Sequence, residues 1–272
     1  MAESDPVYDP ISYHQGSVWP LFTGWTSIAE YRAGHPLSGY AHLMQNADQS
    51  TTQDLGAVTE LLSGAFFQPF GRSTSHQLWS SAMVITPALR GMFGLDVEGL
   101  SGSIYLDPHL PADWDAAEVQ RLHVGQSVCS LDYQRQGHDL VVKIKTISGS
   151  AVRLATAVKG ARTAVDRSSI TFALPPVEVA VPHTLPLPGA RTSQLKVLAE
   201  SMTTNSLKLE LEADEGSVVT LKLRRNGTAL NVHAEGAELG PAYGSDGSSL
   251  GPLTVKFPAG SGYQQQTVTL RW

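Results

Sequence analysis

Apolar positions along this chain follow two different periods, and the change falls between Gly94 and Gly102. Before it they recur every three or four residues, the spacing of one helix face. Leu21, Trp25, Ile28 and Tyr31 or Arg32 mark a first helix behind Ser17 as candidate N-cap, closed by Gly34 and Pro36. A second helix starts at Ser38 and carries Tyr40, Leu43, Met44 and Ala47 on one face. A third follows the capping-box pattern of Thr74 and Gln77, and Leu78, Ala82, Ile85, Leu89 and Met92 continue its stripe to Gly94. Pro87 is expected to kink it, because a proline nitrogen cannot bond the carbonyl of residue 83.

After Gly102 the period becomes two and turn residues arrive every ten or so positions, the signature of successive strands. Ile104–Leu106, Val119–Val124, Val128–Tyr133 and Leu140–Thr146 read as strands, the last two joined through Gln136-Gly137-His138. Leu207, Leu209 and Leu211 alternate with Lys208, Glu210 and Glu212, and Val219, Leu221 and Leu223 repeat the alternation, so these strands keep one wet face. Arg225-Asn226-Gly227-Thr228 is a type I′ hairpin signal, preferred over a glycosylation acceptor at Asn226. Tyr243–Pro252 reads as a surface loop and Thr267–Trp272 as a closing strand. The pattern predicts an α+β chain: about three helices in residues 1–98, then an antiparallel, β-sandwich-like domain over residues 99–272.

Composition narrows the function classes. The chain has 272 residues, 42% of them hydrophobic, enough for one large core or two smaller ones. A net charge of −6, with Lys and Arg scattered, provides no basic stripe for nucleic acid. No apolar run is long enough for a signal peptide or a membrane span. The chain as written is therefore expected in the cytoplasm, unless an upstream region carries an export signal. Cys129, the only cysteine, lies in a strand-like run and is expected to be a small buried group. No metal or other cofactor is expected: His35 and His42 are seven apart with Pro36 between them, and no cysteine pair accompanies them. A Gly-x-Ser-x-Gly elbow and a phosphate-cradling glycine loop are likewise absent.

The candidate chemistry lies in Tyr13-His14-Gln15-Gly16-Ser17-Val18-Trp19-Pro20. A pyranose offers apolar C–H faces to aromatic rings and hydroxyls to neutral donors and acceptors, and this stretch holds both. Together with Thr59-Glu60-Leu61-Leu62-Ser63-Gly64 and Gln77-Leu78-Trp79-Ser80-Ser81-Ala82, it resembles the end of the catalytic barrel in bacterial glycogen-debranching-type glycoside hydrolases, the amylo-α-1,6-glucosidase relatives. Leu106-Asp107-Pro108-His109-Leu110-Pro111-Ala112-Asp113-Trp114, with the run to Val124-Gly125, resembles the small β domain that follows that barrel.

The resemblance implies a six-hairpin (α/α)6 toroid of which this chain holds about three helices. It also implies an inverting reaction, in which one carboxylic acid protonates the leaving oxygen while a second carboxylate activates water. Glu60 matches the second carboxylate; it is the sole acidic residue between Asp54 and Asp96 and stands beside Leu61-Leu62. Asp54 is the fallback, and Glu30 is expected on the outer face of its helix. Tyr13, Trp19 and Phe67 are candidate stacking surfaces, and His14, Gln15, Arg72 and Gln77 candidate hydroxyl partners. Trp19 and Trp79 also suit plain core positions, and Arg72 could instead cap a helix or pair with Glu60.

The expected partners are an oligosaccharide or α-glucan substrate and the rest of the barrel, supplied from upstream or by a second polypeptide. The general acid would lie on that missing portion, leaving the chain inactive alone. The competing expectation is a non-catalytic module whose β domain binds carbohydrate or another chain.

Overall fold

A computed structural model of the chain describes residues 4–191, 195–226, 231–241 and 250–272. Three helices come first: α1 (Pro20–Ala33), α2 (Pro36–Gln49) and α3 (Leu78–Pro87). Among the described residues no helix is long and apolar enough to cross a membrane. Proline opens both α1 and α2, where its fixed φ suits the first turn and its missing N–H costs nothing. Neither Ser17 nor Ser38 caps a helix; Trp19 and His35 stand at the N-cap positions without side-chain hydrogen bonds. Gly34 ends α1 as expected, at φ 82°, with its N–H on Tyr31 O. The capping box expected before α3 does not form, since Gln77 makes no side-chain cap bond and the Thr74 N–H bonds Glu60. At Pro87 the ladder loses a donor, and the chain continues as a π turn over Ala88–Met92.

On α2 the predicted stripe is the buried one, with Tyr40 and Leu43 in the core and Met44 against it, but the buried faces of α1 and α3 differ from their apolar stripes. On α1 the buried residues are Pro20, Gly24, Ser27 and Tyr31, while Trp25 is 52% exposed. On α3 they are Ser80 and Pro87, and Leu78 and Ile85 are 83% and 60% exposed. The reason is backbone proximity: a Cβ added to Gly24 would stand 2.3 Å from the Met83 Cβ. Similarly, the Ser27 hydroxyl donates to Gly39 O across 2.6 Å. Small and polar residues let the helices approach, and several large apolar side chains of α1 and α3, among them Trp25, Leu78 and Ile85, are turned outward.

Strands follow: β1 (Leu95–Glu98), β2 (Ser103–Leu106), β3 (Ala116–Val124), β4 (Ser127–Gln136), β5 (Asp139–Ser148), β6 (Arg153–Ala155), β7 (Arg162–Thr163) and β8 (Ser169–Ala173). They form a three-stranded sheet, β1-β2-β6, and a five-stranded one, β3-β4-β5-β8-β7. All neighbours run antiparallel except β2 and β6. The remainder comprises β9 (Val177–Ala180), β10 (Lys196–Met202), β11 (Ser206–Asp214), β12 (Val218–Arg225), β13 (His233–Glu235), β14 (Glu238–Leu239), β15 (Leu250–Lys256) and β16 (Tyr263–Arg271). These give two antiparallel four-stranded sheets, β10-β11-β16-β13 and β14-β15-β12-β9. Leu207, Leu209 and Leu211 of one face Leu221, Leu223, Leu253 and Val255 of the other in a sandwich core. The hairpin signal at Asn226-Gly227 and the loop at Tyr243–Pro252 fall largely outside the described residues.

The hydrophobic clusters do not follow a boundary at residue 98. Tyr31, Tyr40, Leu43 and Met92 from the helical segment share one core with Ile104, Leu131, Tyr133, Leu140 and Ile170. A second core begins at Val177. Cys129 lies fully buried in the first, and burial pushes its thiol pKa up, which fits the packing role.

A polar latch joins the two cores. The Arg135 guanidinium, 5% exposed, donates to both Glu178 oxygens at 2.5 and 3.1 Å. Its Nε bonds Trp114 O at 2.8 Å, and Nη2 reaches the Leu110 and Pro111 carbonyls at 3.3 Å each. Removing the guanidinium leaves Glu178 charged and uncompensated, so Arg135→Ala is expected to cost about 3–5 kcal/mol in urea unfolding. The joint replacement Arg135→Met with Glu178→Leu should recover most of that loss. A single-variant cost below about 1 kcal/mol would mean that water replaces the latch.

Candidate functional site

Residues 57–62 run extended and buried beneath the loop that leads into α1. Val18 and Leu62 exchange both backbone hydrogen bonds at 2.9 Å, and Glu60 and Gln77 donate to Thr74 O and Val58 O. Glycines permit this crossing: a Cβ on Gly64 would lie 2.0 Å from Gly16 O, and one on Gly16 2.4 Å from Asp9 O.

This crossing brings Tyr13 to Glu60. The Tyr13 hydroxyl donates a short hydrogen bond to Glu60 Oε1, and the Thr74 N–H donates to Oε2 at 3.1 Å. Glu60 is 7% exposed, so the two donors satisfy a carboxylate that burial would otherwise penalise. Tyr13 was expected to act through its ring face, and it does pack rings: His14 at 4.8 Å and Trp19 at 5.0 Å, both edge-on. Its hydroxyl contact is the additional feature. The bond to Glu60, then burial and the carboxylate's charge, raise the Tyr13 pKa above the ordinary value of 10.0.

His14 stacks on Trp19 with centroids 5.8 Å apart and planes 14° off parallel. The ring row continues through Phe22 at 5.6 Å and Trp25 at 5.4 Å from its predecessor. Gln15 is exposed and accepts the Ser12 hydroxyl at 3.1 Å. The Ser17 hydroxyl turns back to Tyr13 O at 2.7 Å, which fixes the loop.

An open cleft of about 640 Å³ lies on the outer side of Tyr13, lined also by Asp9, Phe66, Phe70 and Arg72. Glu60 stands behind the Tyr13 hydroxyl rather than in the cleft wall. Phe67 is not brought to this place. It lines a separate cavity with Leu185 and Pro186, and its backbone pairs with Ala190 O and the Gly189 N–H, each at 2.8 Å. Gln77 marks the start of α3, half-buried. The fallback Asp54 is a surface group paired with His76 at 2.7 Å, and Glu30 pairs with His42 at 2.7 Å, half-buried rather than fully outward. Among the described residues no group of three or more His, Cys, Asp or Glu is disposed to hold a metal ion.

Three site residues escaped the sequence reading. Phe66 and Phe70 lie on either side of Phe67, in a segment that bends at residues 64–67 and then lines the cleft continuously from Gln68 to Arg72. Asp9 also lines it, with Oδ1 accepting the Ile11 N–H at 3.0 Å. The Thr74 contact is made by backbone and carries no residue-type signal.

No family model, curated protein or solved structure matches the chain.

Tyr13 is expected to deprotonate later than the chain's exposed tyrosines in an ultraviolet titration. The difference trace against Tyr13→Phe isolates it. Glu60→Gln removes the neighbouring charge and should bring that midpoint down towards 10. An unchanged midpoint would show that the two groups do not meet in solution.

Proposed function

We propose that this chain carries the general-base half of an inverting glycoside hydrolase of the glycogen-debranching type, acting on an α-glucosidic oligosaccharide. The observation that carries the reading is Glu60: a buried carboxylate fixed by a phenol and a backbone amide, beside a packed cluster of Tyr13, His14 and Trp19. A carboxylate has about four acceptor sites, and two are taken, so a water that reached Glu60 would still find an acceptor there. Glu60 would deprotonate that water as it attacks the anomeric carbon. The aromatic edges of the loop would hold the sugar ring, and Arg72, exposed in the cleft, would meet its hydroxyls.

The reaction needs a second carboxylic acid on the opposite face of the sugar, roughly 6.5–9.5 Å from the base. In this reading it comes from further helical hairpins that complete a toroid with α1 and α3. Their outward side chains support this: Phe22, Trp25, Leu78, Trp79 and Ile85 are all exposed. Each large apolar side chain left in water forgoes roughly 1.5–3 kcal/mol, and five on neighbouring helices mark an association surface.

Two measurements test the reading. Joined to a segment that supplies the remaining hairpins, Glu60→Gln should lower turnover by about 10²- to 10⁴-fold while leaving the fold intact, as loss of a general base does. Turnover within a few-fold of the parent would remove Glu60 from the mechanism. By itself the 272-residue chain should elute above monomer size and hydrolyse no α-glucoside. Trp25→Glu combined with Ile85→Lys should shift it towards monomer. A well-behaved monomer with α-glucosidase activity would overturn both the completed-toroid reading and the assignment of an external acid.

A further inference from the structure

A second cavity, of about 260 Å³, lies where α2 meets both β cores, well apart in the fold from Glu60. Its wall is mostly apolar, with Tyr40, Leu140, Phe172 and Val181 among its residues. Four charged side chains also reach it: Asp107, Arg135, Glu178 and Glu200. Three of them are occupied. Arg135 is spent on Glu178 and three carbonyls, and Glu178 receives Arg135 on both oxygens and the Asn226 amide on one. Asp107 faces the His109 ring at 3.5 Å.

Glu200, on β10, is different. Its Oε1 accepts the N–H groups of Leu37 and Ser38 at the start of α2, at 2.9 and 3.3 Å. Its Oε2 has no hydrogen-bond partner among the described residues. The cavity therefore offers an apolar body and one open carboxylate oxygen. A sugar does not suit it, because most of its hydroxyls would be buried without partners. Arg135 and Glu178 offset each other and Asp107 faces His109, so the remaining charge of the wall is the Glu200 carboxylate, which favours a cation, and the Tyr40 and Phe172 rings add attraction of the same sign.

We propose that this cavity binds a small primary amine with an apolar body, its ammonium on the free oxygen of Glu200 and its hydrocarbon portion among Tyr40, Leu140, Phe172 and Val181. Size agrees: an apolar cavity of about 150 Å³ holds a benzene ring, so this one admits a ring with a short arm. The site is independent of the glycosidase reading.

The groups whose charge Glu200 feels are His35 at the α2 start and Glu30 of α1, itself paired with His42. Lys196 and Lys208, on β10 and β11, are held by Glu212 and Glu210. Burial, opposed by the two amide bonds, pushes the Glu200 carboxyl up to about 7. An alkylamine stays protonated to about pH 10. Affinity should consequently rise as the pH passes upward through about 7.

Phenethylamine titrated into the full chain by calorimetry tests this. One site is expected, tighter by about tenfold at pH 8 than at pH 5.5, with phenethyl alcohol weaker and indifferent to pH. Glu200→Gln keeps an acceptor for the α2 amides and should abolish the pH dependence and lower amine affinity about tenfold, leaving the alcohol unaffected. Leu37→Trp, at the cavity wall, should block both ligands. Failure to bind the amine at millimolar concentration at pH 8, equal binding by the Glu200→Gln chain, or retained binding after Leu37→Trp would each overturn the assignment.

Discussion

The arrangement depends on how closely the chain can pack around Tyr31. This ring sits at the junction of α1, α2 and the π turn, and stacks on His109 from the first β core at 5.6 Å. A Cβ on Gly39 would come within 2.9 Å of it and one on Gly91 within 2.3 Å, so two elements are pressed onto the ring by residues with no side chain. Interiors tolerate little error of this kind, since extra methyl groups displace backbone rather than fill space. Tyr31 thereby sets the separation of α1 and α2. The loop before α1 and the extended stretch after α2 inherit that separation, and their crossing is what joins Tyr13 to Glu60.

The same packing explains what was legible in the sequence. The strands were readable because a period of two survives wherever one sheet face is wet: Leu207, Leu209 and Leu211 are buried while Lys208 and Glu210 face out. The helices were readable as elements, and α2 also as a face, since Tyr40 and Leu43 are buried with Met44 packed beside them; the faces of α1 and α3 were not. Apolar stripes through Trp25, Leu78 and Ile85 predict a core that this chain does not build, because Gly24, Ser27, Ser80 and Gly91 make the contacts instead. A scale that equates hydrophobicity with burial is blind to close contact between small residues. Glu60 could be singled out as the lone acid in an apolar stretch, whereas its amide donor from Thr74 depends on tertiary placement.

Phe67 shows a different limit. Read as a type, a phenylalanine beside a candidate sugar site suggests stacking. Its backbone instead pairs with residues 189 and 190, in the connection between β9 and β10, and the residue lines a separate cavity with Leu185 and Pro186. Nearby, His183 of the same connection bonds Asp48 of α2 at 3.0 Å and meets the edge of Tyr40. The second β core thus reaches back across the helices and holds the turn that carries Phe66 and Phe70. That turn forms one wall of the cleft, so a distant sandwich fixes its width.

Two kinds of surface consequently meet in the helical layer. Its inner side is committed, through glycines, Tyr31 and the Glu200 contact with α2, to both β cores. Its outer side carries the ring row from Trp19 through Phe22 to Trp25 and the exposed residues of α3. Carbohydrate alone does not account for that outer side, because Leu78 and Ile85 are aliphatic and offer no ring to stack, whereas packed helices accept both aliphatic and aromatic side chains. On the reading proposed above, the rings nearest Glu60 would meet a sugar and those farther along α1 would meet protein, so the two roles would divide along α1 near the Trp19–Phe22 contact.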